Sequence, residues 1–120
     1  HEHKILPETA MQLMRSRYCA YALKNAPYII ETTDKESPLR MDSLEKWLLD
    51  ISAFSAATRF NGLKIVEHVP ELDNNCLSYV TFHAFLQSAA NGEDMSFIEK
   101  SLFYKKDGRW YYHSGEHLPK

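Results

Sequence analysis

The stretch from Phe97 to Gly115 constrains the fold more than any other part of this 120-residue chain. It places Asp107-Gly108 between two runs that are rich in aromatic residues. A type I′ turn needs two residues that tolerate positive φ, so Asp-Gly between such runs predicts a β-hairpin. A two-residue turn then sets three cross-strand pairs, which are Lys105 with Trp110, Phe103 with Tyr112, and Ser101 with Ser114.

One face of the predicted hairpin combines a carboxylate and a hydroxyl with three aromatic rings. Side chains alternate along a strand, so this face carries Glu99, Ser101, Phe103, Trp110 and Tyr112. Such a composition is typical of a small polar–apolar site, and equally of an ordinary sheet that buries an ion pair. The residues leave both interpretations open.

Composition limits the classes of protein that the chain can belong to. Apolar residues make up 44% and charged residues 25%, as in an ordinary globular protein, and we expect one domain over residues 1–120. A net charge of −2 argues against a nucleic-acid partner, and no apolar run reaches the roughly 20 residues of a membrane span. Cys19 and Cys76 match neither a disulfide scaffold nor a zinc spacing. We therefore predict a cytoplasmic protein with reduced thiols, without metal or cofactor and without a membrane partner.

Helical periodicity comes first along the chain and strand periodicity follows. Apolar residues recur at three- and four-residue steps after Pro7 and again from Asp42 to Arg59, which predicts two long helices. We expect Asn25 and Pro27 to end the first helix, Ala26 to Glu31 to add a short helical turn, and Thr32 to Pro38 to form a polar loop. Strands are predicted at residues 62–69, 76–86, 95–106 and 109–113. This order predicts an α+β fold with helices on one face of an antiparallel sheet.

Three pieces of the sequence, in order and spacing, resemble the YchJ-like proteins, also called UPF0225. They are Met14-Arg15-Ser16-Arg17-Tyr18, Gly62-Leu63, and Glu99-Lys-Ser101-Leu-Phe103 leading to Gly108-Arg-Trp110-Tyr111-Tyr112. The resemblance is to the family's middle domain, over about residues 8–115. It implies a bacterial protein with a nuclear-transport-factor-2-like (NTF2-like, cystatin-like) fold, in which a curved sheet and helices form an open cone. That fold hosts ketosteroid isomerase-type and dehydratase enzymes as well as non-catalytic binding and dimerisation modules, so it does not decide function.

The sequence departs from the family pattern in three places. Family members usually carry a SEC-C zinc motif of Cys-x-Cys and Cys-Cys pairs, and these residues contain neither pair. Thr33-Asp34-Lys35 stands where relatives often have an aromatic residue, His and Pro, so chemistry that depends on that histidine is not expected. Phe60 stands where a Trp is common.

Glu99 is the leading candidate for chemistry. On a concave apolar face it could act as a general base, with Tyr18 or Tyr112 donating a hydrogen bond to a developing oxyanion. The favoured interpretation is a helix–sheet ion pair with an arginine of the first helix. Arg15 and Arg17 lie roughly 200° apart around a helix, so they cannot both reach one site, and the sequence does not choose between them.

The histidines give a weaker signal. We predict that His83 is a hydrogen-bonded structural residue. His113 and His117 have a spacing that suits a metal on a helix, but we expect them at a strand end and in the tail, where they do not meet. We therefore expect no histidine or second carboxylate beside Glu99, which weakens an enzymatic interpretation.

The sequence thus favours a non-catalytic ligand-binding or protein-assembly module, with a small ligand, a protein or a second copy of the chain as partner. The candidate pocket or ion-pair residues are Arg15, Arg17, Tyr18, Glu99, Ser101, Trp110 and Tyr112, and no residue is assigned as catalytic. The alternative is a small-molecule isomerase or dehydratase that uses Glu99 as its general base.

Overall fold

The computed structural model describes residues 7–72 and 76–119. Over these ranges three helices precede a four-stranded antiparallel sheet of order β1-β2-β3-β4, so the α+β prediction is confirmed. The helices are α1 (Ala10–Ala22), α2 (Ala26–Glu31) and α3 (Leu44–Ala56). The strands are β1 (Thr58–Leu72), β2 (Leu77–Ser88), β3 (Phe97–Lys106) and β4 (Arg109–Leu118).

Polar side chains cap the start of each helix. The Thr9 hydroxyl accepts a hydrogen bond from the Gln12 amide at 3.1 Å, and the Ser43 hydroxyl accepts one from the Lys46 amide at 3.1 Å. Such caps satisfy N–H groups that have no partner within the helix. Asn25 takes part in the end of α1, as predicted, since its amide donates to the Ala20 carbonyl at 2.7 Å, and its side chain also caps α2. The left-handed backbone after α1 belongs to Lys24, whose φ is 63°.

Several element boundaries differ from the predicted ones because pairing in the sheet extends the strands. Helix α3 ends at Ala56 rather than Arg59, since residues 58–60 pair with the end of β2. Strand β1 therefore begins at Thr58 rather than Gly62. Strand β4 continues to Leu118 rather than ending at His113, because its second half pairs with β3.

The inner face of the sheet packs against the helices. The cluster between α1 and the sheet includes the fully buried Leu13, Val80 and Phe103. A second cluster, among the three helices, centres on Ile29, Trp47 and Ile51. The two clusters enclose the space between helices and sheet. Of the described helices, none is both long and apolar enough to cross a bilayer.

Strands β3 and β4 form the predicted hairpin, but β4 contains one residue more than regular pairing from a two-residue turn would need. The pairs Phe103 with Tyr112 and Lys105 with Trp110 are present as predicted. Beyond them the register shifts, so that Leu102 faces Ser114 and Ser101 faces Gly115. The predicted pair of Ser101 with Ser114 is therefore wrong. The reason is a β-bulge, in which His113 is the extra residue of β4.

The bulge decides which side chains of β4 face the helices. Because side chains alternate along a strand, one extra residue exchanges the two faces for every later position. Gly115 lies opposite Ser101 and His117 lies opposite Glu99, on the inner face.

The segment after α2 covers the edge of β4. The amide of Asp34 donates to the carbonyl of Tyr112 at 2.8 Å, and the Tyr112 amide donates to the Thr32 carbonyl at 2.8 Å. The Ser37 hydroxyl donates to the His113 carbonyl at 2.5 Å. The predicted loop thus forms hydrogen bonds with backbone groups at the edge of β4, which would otherwise be free to pair with a strand of another chain.

Candidate functional site

A cavity of about 450 Å³ lies between the helices and the inner face of the sheet. Exposed or partly exposed residues, among them Leu39, Asp50 and Phe54, form its mouth. Polar groups within the cone are few, and most of the wall is apolar or aromatic. The other lining residues are Met14, Arg17, Tyr18, Tyr21, Ile29, Thr33, Met41, Trp47, Ile51, Phe60, Phe82, Ala84, Leu86, Phe97, Glu99 and Tyr112.

Three side chains hold the carboxylate of Glu99 in place. Its Oε2 accepts hydrogen bonds from the hydroxyls of Ser101, at 2.6 Å, and Tyr112, at 2.9 Å. Its Oε1 lies 3.3 Å from Nε2 of His117. Glu99 is 9% exposed, whereas the His117 side chain is 64% exposed. The carboxylate is thus fixed on one side by buried hydroxyls and linked on the other to a solvent-accessible imidazole.

Gly115 lets the backbone of β4 approach this carboxylate. A Cβ at position 115 would overlap the carboxyl group of Glu99 and lie 2.8 Å from the hydroxyl oxygen of Tyr112. The requirement for glycine comes from this close approach, because Gly115 is not among the residues with positive φ. Any other residue would displace Glu99 or β4.

Tyr112 acts as a neutral hydrogen-bond donor. Burial raises the pKa of its hydroxyl far above the usual value, and the negative charge of Glu99 raises it further. Its ring packs edge-on against Phe103 and carries the guanidinium of Arg17 above it, with Cζ 4.4 Å from the ring centroid. Tyr112 therefore connects the carboxylate and the guanidinium without direct contact between them.

Arg17 is buried, with 5% of its surface exposed, and it binds the end of α2. Its Nη1 donates to the Ile29 carbonyl at 3.0 Å, the Thr32 hydroxyl at 2.7 Å and the Thr33 hydroxyl at 3.2 Å. Burial lowers the pKa of Arg17, while nearby tyrosines and Glu99 act in the opposite direction. The predicted direct ion pair of an arginine with Glu99 is not formed. Across residues 7–72 and 76–119, the basic side chain within 4 Å of the Glu99 carboxylate is the imidazole of His117, at 3.3 Å.

Arg15, the other candidate, is exposed. It lies two residues before Arg17 on α1, and the helical twist turns it away from the cavity. The structure thus brings only one of the two predicted arginines into the cone.

The two remaining aromatic candidates have structural partners. The Tyr18 hydroxyl accepts a hydrogen bond from the Gly62 amide at 2.8 Å, and its ring lines the cavity edge-on to Phe60. Burial raises the pKa of Tyr18. Trp110, on β4, packs in the core cluster between α1 and the sheet, and its Nε1 donates to the Glu8 carbonyl at 3.2 Å. Tyr18 therefore belongs to the cavity wall and Trp110 to its support.

His117 is the site residue that the sequence did not predict. The expectation of no histidine beside Glu99 is wrong, because β4 extends past His113 and the bulge places His117 on the inner face. Gly115 was the available signal, since glycine within a strand often marks a bulge or a close backbone approach. His83 lies on β2 next to the inward-facing Phe82, and it stacks on Phe85 with ring centroids 4.1 Å apart. Within the described ranges, no group of three or more His, Cys, Asp or Glu side chains could hold a metal.

Asp34 links the segment that follows α2 to the β3–β4 hairpin. Its Oδ1 lies 2.6 Å from Nζ of Lys106, and only 2% of the Asp34 side chain is exposed. Burial alone would raise the pKa of Asp34, but the hydrogen bond from Lys106 and its positive charge lower it overall. The carboxylate is therefore part of the framework around the cavity.

The curved sheet, the helices that close it and the open cavity define an NTF2-like cone. A putative calcium/calmodulin-dependent protein kinase II association domain from Thiobacillus denitrificans shares this fold, with a TM-score of 0.68 and 10% identity over 98% of this chain and 99% of that one. A putative ketosteroid isomerase from Shewanella frigidimarina also shares it, with a TM-score of 0.65 and 15% identity over 88% and 91% of the two chains. These likenesses show the fold alone, and the predicted NTF2-like fold is confirmed.

The chain belongs to the YchJ family, also named UPF0225, since residues 9–115 match the family's middle NTF2-like domain. It is 44% identical to a UPF0225 protein from Actinobacillus succinogenes over 93% of this chain and 68% of that protein. A SEC-C motif-containing protein from Rhodopseudomonas palustris has a solution structure with a TM-score of 0.77 and 33% identity, over 93% of this chain and 80% of that one. The chain spans 64% of a UPF0225 protein from Haemophilus influenzae, to which it is 37% identical. The predicted family is confirmed.

Proposed function

We propose that this domain binds a small, largely apolar molecule in the cone and has no catalytic role. The observation that carries the proposal is the open cavity of about 450 Å³ with its mainly apolar wall. Small-molecule sites are typically concave, of about 300–1,000 Å³, and lined by apolar side chains with a few fixed polar groups. The polar groups here are few and held by other residues, which fits recognition of one end of a ligand.

The contacts of Glu99 support binding more directly than they support catalysis. Both of its carboxylate oxygens already have protein partners, at 2.6–3.3 Å. A carboxylate held in this way is a positioned hydrogen-bond acceptor, since little reorganisation is needed when a ligand arrives.

A titration with a neutral apolar probe tests the proposal. N-phenyl-1-naphthylamine fluoresces more strongly in an apolar site, and Trp47 in the cavity wall supplies a second optical signal. Ile51→Trp would fill the cavity from α3, whereas Leu49→Trp adds the same side chain at a position that is 65% exposed. We expect saturable binding to the wild type and to Leu49→Trp, and loss of binding in Ile51→Trp.

Two results would contradict the proposal. One is the absence of saturable probe binding to the wild type. The other is equal binding by Ile51→Trp, in a sample whose circular dichroism spectrum matches that of the wild type. Ala84→Leu fills the cavity from the sheet and provides an independent variant if Ile51→Trp does not fold.

His117 favours a second candidate function, proton transfer by Glu99 in an isomerase or dehydratase reaction. The imidazole is largely exposed and lies 3.3 Å from Oε1 of Glu99, so it offers the carboxylate a path for exchanging protons with solvent. Incubation with small apolar ketones in D₂O, followed by NMR, would detect abstraction of a proton next to the carbonyl. Deuteration that depends on Glu99 and slows in His117→Ala supports catalysis. Equal deuteration by the wild type and Glu99→Gln argues against it.

Assembly with a protein or a second copy stays a prediction. Sedimentation at increasing concentration tests the homodimer: a strict monomer throughout, with no partner recovered in pull-down experiments, would contradict it.

A further inference from the structure

The side-on edge of the Arg17 guanidinium has no partner among the residues that the structure describes. All hydrogen bonds of Arg17 run from Nη1, to the end of α2. Nε and Nη2 donate none, which leaves three N–H groups unused. These two nitrogens lie on the same side of the guanidinium, where their N–H bonds are nearly parallel.

This free edge belongs to a side chain that lines the cavity wall. Arg17 as a whole is only 5% exposed. In the described ranges, the fully buried side-chain nitrogen and oxygen atoms without a hydrogen-bond partner are Ser55 Oγ and His68 Nε2. Nε and Nη2 of Arg17 are not among them, so these two atoms keep some accessible surface, which we attribute to the cone that Arg17 lines.

The rest of the guanidinium is held rigidly. Nη1 is fixed by one carbonyl and two hydroxyls, and the plane of the group lies over the Tyr112 ring. A buried cation with unused donors is costly unless an acceptor completes it. The arrangement therefore presents two parallel N–H donors in a fixed direction, toward apolar space.

We propose that Arg17 anchors a carboxylate and that the ligand of the cone is a monocarboxylic acid with an apolar body. Two parallel N–H donors match the two oxygens of a carboxylate, and such bidentate pairs are stronger than bonds between neutral groups. The apolar wall formed by Ile29, Trp47 and Phe82 suits a hydrocarbon or aromatic body. This inference rests on the proposed binding function and names its ligand class.

Glu99 limits the charge of the ligand. Its carboxylate lines the same cavity and opposes an anion, although the hydroxyls of Ser101 and Tyr112 and the imidazole of His117 offset part of that charge. Arg17 is the one Lys, Arg or His side chain among the described residues that line the cavity, so it can offset one negative charge of a ligand, while Glu99 would repel a second. Dicarboxylates are therefore excluded as good ligands.

The test compares octanoate with octanamide, which differ little in size but differ in charge. Binding is measured by displacement of N-phenyl-1-naphthylamine from the full chain at neutral pH. We expect the wild type to bind octanoate roughly 10- to 100-fold more tightly than octanamide, as hydrogen bonds to a charged group would give. Arg17→Gln should abolish this preference for the acid. Arg17→Lys should reduce it, because a lysine ammonium does not present two parallel N–H donors. Arg15→Gln, at an exposed position of the same helix, should leave it unchanged.

The Glu99→Gln variant tests the carboxylate-anchoring role separately from any structural role of Arg17, because Arg17 itself is unchanged and the ligand affinities are what is measured. Removing the opposing charge should tighten octanoate binding several-fold and leave octanamide binding nearly unchanged. Equal affinities for acid and amide in the wild type would overturn the inference but leave the binding function standing. An acid preference that survives in Arg17→Gln would overturn it as well. Failure of the probe and of both ligands to bind would remove the binding function itself. If Arg17→Gln does not fold, the wild-type comparison and Glu99→Gln decide.

Discussion

Replacing Gly115 with alanine should destabilise the protein by about 2–5 kcal/mol. At most positions with ordinary φ, glycine to alanine stabilises a protein by about 0.4–1 kcal/mol, because it restricts the unfolded chain. At Gly115 the new Cβ would overlap the carboxyl group of Glu99. The sign of the effect should therefore be reversed.

The magnitude follows from the contacts that Glu99 would lose. Moving the carboxylate breaks its hydrogen bonds with Ser101, at 2.6 Å, and Tyr112, at 2.9 Å. A hydrogen bond to a charged group contributes about 1.5–3 kcal/mol, so the two together amount to about 3–6 kcal/mol. The gain from the restricted unfolded chain offsets part of this, which leaves about 2–5 kcal/mol.

The assay is urea unfolding of a double-mutant cycle at neutral pH. Its four proteins are the wild type, Gly115→Ala, Glu99→Ala and the double variant. If overlap with Glu99 is the main cause, Gly115→Ala should cost clearly less in the Glu99→Ala background, where the close contact of the new Cβ with the Tyr112 hydroxyl, at 2.8 Å, remains. The reasoning is refuted if Gly115→Ala is as stable as the wild type, or if its cost is the same with and without Glu99.

Three further predictions concern the framework of the cavity. The pKa of Asp34 is lowered in the folded protein, so its carboxylate stabilises the fold above the unfolded value of about 3.9, and this contribution is lost as pH falls through the folded pKa. Asp34→Asn should thus be less stable than the wild type at pH 7, with the difference shrinking in urea titrations toward pH 3; a constant difference would contradict the role of the Lys106 ion pair. Tyr112→Phe should lose about 1.5–3 kcal/mol in unfolding free energy, since the ring stays and the bond to Glu99 is lost; an unchanged midpoint argues against that bond. Ser43→Ala should cost about 1 kcal/mol by removing the cap of α3, and circular dichroism melts would show it.

Local rules were sufficient for the elements that local chemistry decides. The Asp107-Gly108 turn has positive φ at both residues, 52° and 79°, as the type I′ prediction requires. The helical periodicity between Asp42 and Arg59 also predicted α3, whose buried residues include Trp47 and Ile51, although Leu44 and Phe54 of the same apolar pattern are exposed. Both features depend on residues that are close to each other in the sequence.

The site itself depends on long-range pairing that periodicity does not reveal. The sequence around His113 does not mark it as the extra residue of a bulge. Side chains alternate between the two faces both before and after a bulge, so the pattern of residue types does not show where the bulge lies. The error passes to every later position of β4, which is why Gly115 and His117 were not placed beside Ser101 and Glu99. Glycine in the middle of a strand was the one local warning.

The position of Arg17 shows a different limit of sequence reasoning. An arginine and a glutamate that both face a cone suggest an ion pair, and opposite charges alone would favour it. The end of α2 instead supplies three neutral acceptors to Arg17, and the Tyr112 ring lies between the two charges. Which acceptors reach a buried cation is a property of the assembled fold.

The bulge at His113 means that the chemistry of this cavity is encoded partly in the number of residues in a strand. If β4 paired with β3 without a bulge, the register of the turn would place Ser114 beside Ser101 and Glu116 beside Glu99. The carboxylate would then meet a hydroxyl and a second carboxylate in place of the glycine and the imidazole. Two neighbouring carboxylates share protons rather than ionise independently, so the acid–base character of the cone would differ although no side chain had been substituted. One extra residue in β4 therefore decides which groups surround Glu99.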